Sequence, residues 1–318
     1  MSNVDDHPEE LVCTAGGEGE VLTGHRVALG GPRAMMNVNR VLPNRARRMV
    51  GAWCFLDSYG PEVCTMRVPP HPHTGLQTVT WLVEGDVLHQ DSVGSVQRVL
   101  PGQLNLMTAG RGISHSEESP RTLLHGVQLW VALPGSDRHV APHFEHHAAL
   151  PDEGGVRVVM GALGGLRSPA TAYTPLVCAE IAVDGKLEVP LDPAFEHGVL
   201  WLTGPHSQTG PHSQTGPHSQ TGPTGQPGLM DSLRYLAPGR TSLTLAGSGR
   251  VLLIGGEPFA EQLVMWWNFV ARTHEEIAAY RKEWAEGSLF GAVDGFDGDR
   301  LPAPALPNAR LKARGRLG

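Results

Sequence analysis

Apolar and turn-forming residues alternate in short runs between about residues 50 and 131. The run from Leu76 to Val83 is rich in β-branched residues and ends at the turn sequence Glu84-Gly85-Asp86. The same pattern predicts further strands at Val87 to Asp91, Val96 to Leu100, Leu104 to Met107, Ile113 to Glu117 and Leu123 to Val131. Strands of this length and spacing favour a sandwich or barrel over a parallel sheet with crossover helices.

A second strand-rich region follows a Pro- and His-rich crossing at about residues 134–152. Its clearest predicted strands are Val177 to Val183, Lys186 to Val189, Val199 to Thr203, Ser242 to Leu245 and Val251 to Ile254. We therefore divide the chain into an N-terminal domain, residues 1–150, and a C-terminal domain, residues 151–318.

One helix is predicted near the end of the chain. Thr273 and Glu276 form a capping box, because the hydroxyl and the carboxylate can each bond a free backbone amide, and Gly287 ends the helix. Its apolar face consists of Ile277, Tyr280 and Trp284. From about residue 291 the chain is rich in Gly and Pro and ends in basic residues, which predicts a solvated, flexible tail.

A six-residue repeat interrupts the second domain. Gly-Pro-His-Ser-Gln-Thr occurs three times in tandem between Gly204 and Thr221. The repeat has no apolar residue to stack inside a solenoid, so it predicts a disordered loop at about residues 204–223. Its histidines, His206, His212 and His218, are interpreted as parts of a neutral insertion in a tolerant surface loop.

Composition narrows the class of protein. The 318 residues include 40 Gly and 26 Pro, which suits short strands and tight turns, and the net charge of −7 argues against a nucleic-acid binder. No apolar run reaches the roughly 18 residues of a membrane span, and the acidic N-terminus is not a secretory signal. Four cysteines without a Cys-x-x-Cys motif favour a reduced cytoplasmic protein, although pairing of Cys54 with Cys64 stays open. We expect a monomer.

Two short motifs carry the candidate chemistry. They are His71-Pro72-His73 and His115-Ser116-Glu117. Residues i and i+2 of a strand point to the same face, so each motif offers two metal-binding side chains. If the two strands lie on opposing walls of a narrow barrel, His71, His73, His115 and Glu117 converge on one transition-metal ion. Three imidazoles and a carboxylate suit Fe(II), Mn, Ni, Cu or Zn.

The sequence around both motifs resembles the pirin family. The resemblance is carried by His71 to Thr80, His89 to Ser92, Met107 to Glu117, Gln128 to Val131, Gly255 to Pro258 and Trp267 to Val270. It implies an all-β fold of two tandem cupin-type β-barrels, a bicupin, with a metal in the N-terminal barrel alone. It also implies that the ligands are His71, His73, His115 and Glu117 and that the metal is Fe(II). The C-terminal domain has no such motif outside the repeat, and His197 is interpreted as structural.

The resemblance further implies quercetin 2,3-dioxygenase activity on a flavonol-like aromatic substrate. The 3-hydroxyl of the flavonol would bind the metal, Glu117 would accept its proton as the catalytic residue, and O2 would open the ring with release of carbon monoxide. Two alternatives stay open. One is an iron-dependent redox-sensing regulator that binds a partner protein, and the other is a scaffold whose metal is only structural.

Several residues near the motifs need separate interpretation. Thr74 and Gln77 stand where pirins commonly have Arg and Glu, and we expect both to line the mouth of the metal cavity. His89 and His125 are expected to support the ligands from outside or to serve in packing. The remaining histidines of the crossing segment are expected on the surface: His139, His143, His146 and His147.

Overall fold

The structure, a computed structural model, describes residues 19–28, 36–204 and 232–317. These residues form an all-β fold with a single helix, as the sequence predicts. The repeat loop at about residues 204–223 and Cys13 lie outside the described residues, apart from Gly204. No helix in the described part of the chain is long and apolar enough to cross a membrane.

The first described strand, β1 (Val21–Thr23), belongs to the second of two large antiparallel sheets. The first sheet contains β2 (His25–Ala28), β3 (Asn37–Leu42), β4 (Trp53–His73), β5 (Leu76–Glu84), β6 (Val87–Asp91), β7 (Val96–Val99), β8 (Leu104–Thr108), β9 (Ile113–Ala132) and β10 (His143–His147). Its main order is β10-β8-β5-β9-β4-β3-β2, and β6 pairs with β7 and with β9. Since one half of β9 pairs with β5 and the other half with β6, the sheet folds around a single interior.

The second sheet has the order β1-β16-β15-β17-β14-β12-β11, with β13 beside β12. Its strands are β11 (Asp152–Glu153), β12 (Val156–Leu163), β13 (Leu166–Arg167), β14 (Leu176–Pro190), β15 (Glu196–Thr203), β16 (Ser232–Leu236) and β17 (Ser242–Gly256). A hairpin of β18 (Val264–Trp266) and β19 (Phe269–Ala271) and the helix α1 (His274–Glu286) follow. The chain passes from the first sheet to the second between β10 and β11. The exception is β1, which precedes β2 in the chain but pairs with β16 in the second sheet.

Several predicted strands prove to be halves of longer ones. The two predicted strands Ile113 to Glu117 and Leu123 to Val131 form the continuous β9, and β14 and β17 likewise each join two predicted strands. The pairing of β4 with β9 continues through four register shifts, where the strands bend without losing their partner. The polar residues inside these bends interrupt the apolar pattern, so the sequence alone indicates a break.

The interiors of the two barrels differ. The second barrel is filled by an aliphatic cluster that includes Val158, Ile181, Val199 and Leu253. The first barrel instead holds buried polar side chains, among them the ion pair of Arg40 with Asp57, whose two bonds measure 2.8 and 2.9 Å. A barrel packed with aliphatic groups leaves no polar cavity, whereas buried polar groups require partners. The first barrel is therefore the one suited to a ligand.

A buried carboxylate joins the two barrels. The fully buried side chain of Glu196 accepts a hydrogen bond from the Gly51 backbone N–H at 2.7 Å and one from the Tyr235 hydroxyl at 2.9 Å. The Arg316 guanidinium donates a third at 2.8 Å. Removal of one partner of a buried charge is strongly destabilising, so this contact fixes how the barrels meet.

The residues after α1 lie along both barrels, which differs from the solvated tail predicted from about residue 291. The Leu301 N–H donates to Pro70 O at 2.8 Å, next to His71, and Arg314 exchanges two backbone hydrogen bonds of 2.8 Å with Leu263. The basic residues that suggested solvation are used in pairing, as Arg316 shows. Leu301, Leu306 and Leu311 pack against the apolar cluster that includes Trp284, but an extended segment of this kind carries no periodic signal in the sequence.

The helix begins and ends as predicted. Thr273 caps α1, its side chain accepts from the Glu276 N–H, and Gly287 N–H bonds Glu283 O at the other end. Glu276 also forms two hydrogen bonds with Arg138 of the first domain, at 2.7 and 2.8 Å. These bonds from Arg138 lower the pKa of Glu276 to about 2, although partial burial opposes the shift.

The variant Glu276→Gln is expected to lower the free energy of unfolding by about 1 kcal/mol at neutral pH, because it weakens the cap and the ion pair. The folded-state pKa lies below the unfolded value of 4.5, so this stabilisation exists above pH 4.5 and is lost as the pH falls towards 2. Urea unfolding of the wild type and the variant, at neutral pH and again below pH 4.5, measures the difference in the free energy of unfolding. The control is Glu286→Gln in the last turn, and an E276Q effect that is independent of pH contradicts the assignment.

Candidate metal centre

Three histidines from adjacent strands meet inside the first barrel. His71 and His73 end β4, and His115 lies near the start of β9, directly opposite His71 in the register. One ligating atom from each of the three lies within 4.8 Å of those from the others, and His73 Nε2 and His115 Nε2 are 3.1 Å apart. This is the only such group of three His, Cys, Asp or Glu in the described residues. The predicted convergence of the two motifs is thus observed for the imidazoles, but the two strands are paired neighbours and do not lie on opposing walls of the barrel as predicted.

All three imidazoles are fully buried. Burial lowers their pKa well below the usual value, and the neighbouring histidines lower it further for each ring. The rings are therefore neutral at physiological pH, which is the state in which a nitrogen lone pair can bind a metal.

Each ring is oriented by a hydrogen bond at Nδ1. His71 Nδ1 lies 2.9 Å from Pro69 O, and His73 Nδ1 lies 3.1 Å from Asn268 O, in the turn between β18 and β19. His115 Nδ1 lies 3.3 Å from His89 Nδ1 on β6. Ligating histidines commonly use the second ring nitrogen in this way, because the bond fixes both tautomer and ring orientation. His89 is thus a supporting residue, one of the two roles predicted for it.

Glu117 lies on β9 next to the histidines but outside their group. Its Oε1 is 3.4 Å from the Thr80 hydroxyl of β5, and its charge, after burial, helps to raise the pKa of Tyr59. The carboxylate therefore lies in the same barrel interior, and its part as the fourth ligand stays a prediction.

The interior wall beside the histidines carries donors that have no partner. Asn105 Nδ2, Gln128 Nε2 and Trp130 Nε1 are buried and unpaired. The Thr80 hydroxyl donates to Gln128 Oε1 at 3.0 Å, which turns the amide nitrogen away, and the Trp130 ring lies 5.1 Å from that of His73. Buried unpaired donors are rare and costly in native proteins, so this wall is suited to a ligand that has acceptor oxygens.

These wall residues were missed by the sequence analysis. On β9 the inward positions change from His115 and Glu117 to Gln128 and Trp130, that is, from odd to even numbers, because the register shifts between them. Strict alternation from His115 predicts the wrong face for the second half of the strand. The sequence did contain one sign of a polar inner face: Thr78 and Thr80 on β5 alternate with the apolar Val79.

Thr74 and Gln77 are both buried, and for Gln77 the contacts differ from the expected place at the mouth of the cavity. Both are fully buried, and Gln77 Nε2 donates to Thr108 Oγ1 at 3.0 Å and to Thr171 O of the second domain at 3.1 Å. Gln77 lies on the outer face of β5, opposite to Thr80. The Thr74 carbonyl accepts from Val270 N–H at 3.1 Å. Gln77 therefore holds the barrel against the second domain, and its departure from the family pattern does not reach the cavity directly. The Thr74 hydroxyl is buried without a partner, and its place at the cavity stays a prediction.

A glycine makes this packing possible. Gly75 has a φ of +67°, and a Cβ there would lie 2.3 Å from the Val270 carbonyl oxygen. Only glycine accepts both the left-handed backbone and the close approach. The turn after His73 thereby brings the β18–β19 hairpin onto the ligand strand, where Asn268 O reaches His73.

The other histidines remain outside the centre. His125 is buried and contacts the Leu202 backbone of the second barrel, so it serves in packing. His143 and His147 flank Glu145 on β10 and are partly exposed. His197 is fully buried in the second barrel with both ring nitrogens unpaired, and burial lowers its pKa to about 4. It has no ligating neighbours among the described residues, which agrees with a structural interpretation.

The donor set fits a transition metal. Three neutral, preoriented imidazoles converge with their nitrogens 3.1 to 4.8 Å apart, and a carboxylate lies on the same wall. Because no thiolate takes part, the arrangement does not favour a closed structural zinc site.

His73→Ala and His115→Ala are each expected to lower the metal content after desalting well below one ion per chain, because each removes one of the three convergent imidazoles. Elemental analysis after desalting measures the metal content. His197→Ala, in the second barrel, should retain the wild-type content. Retention of a full equivalent by His115→Ala contradicts the assignment of the centre.

Comparisons with known proteins agree with this geometry. A sequence profile of the pirin family matches residues 35–131, and one of the pirin C-terminal cupin domain matches residues 229–290. A Pseudomonas aeruginosa protein provisionally named quercetin 2,3-dioxygenase is 43% identical over 301 residues, which cover 90% of this chain and 90% of that protein.

Two solved structures are also similar. A quercetin 2,3-dioxygenase from Acinetobacter baumannii has a TM-score of 0.81 and 37% identity, covering 93% of this chain and 98% of that one. A bacterial pirin from Escherichia coli, solved in complex with nickel(II), has a TM-score of 0.54 and 16% identity, covering 75% and 99%. The second likeness is one of fold.

Proposed function

The chain belongs to the pirin family, and we propose that it is a metal-dependent dioxygenase that opens a flavonol ring with O2. The observation that carries this proposal is the group of three neutral imidazoles inside a barrel lined by unpaired donors. Two similar proteins, from Pseudomonas aeruginosa and Acinetobacter baumannii, bear the name quercetin 2,3-dioxygenase, which supports the choice of substrate class.

In this proposal His71, His73, His115 and Glu117 hold the metal. Fe(II) is the proposed ion, and Mn, Ni, Cu and Zn suit the same ligands. When bound, the ion supplies Lewis acidity, which lowers the pKa of a coordinated hydroxyl. The three neutral imidazoles add no charge of their own, so Glu117 is the one negative group in this proposed ligand set before it takes up a proton.

Glu117 is proposed as the base that takes the proton of the flavonol 3-hydroxyl. A carboxylate at hydrogen-bonding distance from the reacting group serves this role. The Thr80 hydroxyl lies 3.4 Å from the carboxylate, and Tyr59 stays protonated, because burial and the Glu117 charge raise its pKa. In the overall reaction O2 is consumed and carbon monoxide leaves, so no external reductant is required.

The unpaired donors give the cavity its proposed specificity. Asn105, Gln128 and Trp130 would bind the other oxygens of a flavonol, and Trp130, stacked on Phe55 at 4.0 Å, offers a flat wall to the aromatic rings. An apolar substrate without acceptor oxygens would leave these donors unpaired and bind weakly.

We also propose a cytoplasmic location. Cys54, Cys64 and Cys178 are free and buried, so the open question of a Cys54–Cys64 disulfide is answered in favour of thiols in this structure. Free thiols are typical of a reducing compartment.

Glu117→Gln is expected to lower kcat with quercetin by at least about 100-fold while part of the metal stays bound, because the amide cannot accept the proton. Oxygen uptake and metal content are measured on the same sample. The matched control is Glu118→Gln, since Glu118 faces outward and pairs with Arg67 at 3.0 Å. Wild-type turnover by E117Q refutes the role of Glu117, and a wild-type enzyme that consumes no O2 with any flavonol refutes the proposed activity.

Gln128→Leu is expected to raise KM for quercetin roughly tenfold with a smaller change in kcat, since it removes a binding contact that exists before and during the reaction. Steady-state oxygen uptake separates the two constants. Gln262→Leu, at an exposed position before β18, serves as the control. An unchanged KM in Q128L shows that the amide does not contact the substrate.

A further inference from the structure

The three candidate ligands differ in what orients them. His71 and His73 each place Nδ1 next to a backbone carbonyl, of Pro69 and Asn268 respectively. A carbonyl oxygen only accepts, so both rings carry the proton on Nδ1 and leave the Nε2 lone pair for a metal. These backbone carbonyls therefore favour the binding tautomer of both rings.

His115 lacks such a carbonyl. Its Nδ1 faces Nδ1 of His89 at 3.3 Å. Since an imidazole nitrogen either donates or accepts, this contact by itself allows two arrangements. In one of them His115 carries its proton on Nε2, where it would block the metal.

Asp91 removes this ambiguity. Its Oδ2 lies 3.0 Å from Nε2 of His89. An ionised carboxylate only accepts, so His89 carries its proton on Nε2 and presents a lone pair at Nδ1. That lone pair accepts the Nδ1 proton of His115, so His115 Nε2 keeps a lone pair and does not donate to His73 Nε2, 3.1 Å away, and both Nε2 atoms can bind one metal ion.

The hydrogen bonds from Asp91 through His89 to His115, called the relay below, are held in place by their surroundings. Asp91 Oδ1 accepts the backbone N–H groups of Val93 and Ser95, at 3.0 and 2.9 Å, in the turn after β6. The ring of His89 is stacked on Phe144 of β10, with ring centroids 4.4 Å apart and planes 17° apart. Asp91 and His89 are also nearly fully buried, so water does not compete for these bonds.

We propose that Asp91 and His89 are positioning residues that hold His115 in the tautomer that binds the metal ion. The inference rests on the proposed metal centre and not on the identity of the organic substrate. It makes His115 a ligand whose tautomer depends on side chains that do not themselves bind the metal.

The variant Asp91→Asn tests this idea sharply, because the turn dictates how the amide sits. The N–H groups of Val93 and Ser95 require an acceptor, so the asparagine oxygen takes the place of Oδ1 and its NH2 group points at His89 Nε2. His89 must then accept at Nε2 and donate from Nδ1. The relay is reversed, and the His115 proton moves to Nε2.

The first measurement is the affinity for Ni2+ in the full-length protein, by competition with a chromophoric chelator. D91N is expected to bind Ni2+ about 10- to 100-fold more weakly than the wild type. Asp91→Ala removes the relay without reversing it and should lose no more affinity than D91N. If Asp91 only stabilised the turn, Asp91→Ala would lose more Ni2+ affinity than D91N, because asparagine keeps the backbone hydrogen bonds that alanine loses. That opposite order overturns the proposal, as does wild-type affinity in D91N or a wild type that fails to bind Ni2+.

The matched control is Asp192→Asn. Asp192 accepts the Ala194 N–H at 2.9 Å in a turn of the second domain and lies near His197, where no ligand group exists. D192N should bind Ni2+ like the wild type, and a loss equal to that of D91N overturns the specific role of Asp91.

A second readout does not depend on the metal. In the metal-free protein labelled with 15N-histidine, two-bond proton–nitrogen correlations report the tautomer of each ring. We expect the Nδ1–H form of His115 in the wild type and the Nε2–H form in D91N, and the same tautomer in both overturns the proposal. Neither measurement uses a flavonol, so a protein that shows these effects but does not oxidise quercetin retains this inference and loses only the proposed activity.

Discussion

The pairing of β4 with β9 is the constraint on which the rest of the protein depends. These two long strands run antiparallel from the barrel–barrel contact near Trp53 to the candidate metal centre at His73. Because His71 and His115 are direct cross-strand partners, the spacing of the imidazoles is set by backbone hydrogen bonds and not by loops. Register shifts bend both strands, so that the same pair of strands supplies two different walls of one barrel.

The contrast between the two barrels follows from what lines them. Aliphatic side chains fill the second barrel and leave His197 without a polar partner. The first barrel holds an ion pair, three imidazoles and unpaired donors. Burial of so many polar groups is costly unless a ligand satisfies them. The second barrel contributes packing instead, since the cluster of buried residues around Trp53 and Leu56 continues into Met160 and Ile254.

Segments distant in sequence complete the centre. The β18–β19 hairpin supplies the carbonyl that orients His73, the residues after α1 bond the strand next to His71, and Ser114 Oγ donates to Phe290 O at 3.1 Å. Each ligand strand is thus braced from outside by the C-terminal part of the chain. This explains why the C-terminal residues lie along the protein surface and do not extend into solvent.

The sequence by itself determined the fold class, the capped helix and which three histidines form the candidate metal-binding group. Strand alternation, capping chemistry and the His-x-His spacing are local properties, so one chain segment is enough to indicate each of them. His71 and His73 share a face in any strand. Only the tertiary structure decided which residues surround them. The parity of β9 changes between Glu117 and Gln128 through register shifts, Gln77 faces the other barrel, and Asp91 reaches His115 through His89. These relations depend on pairing between separate strands, and a pattern along one chain does not contain that pairing.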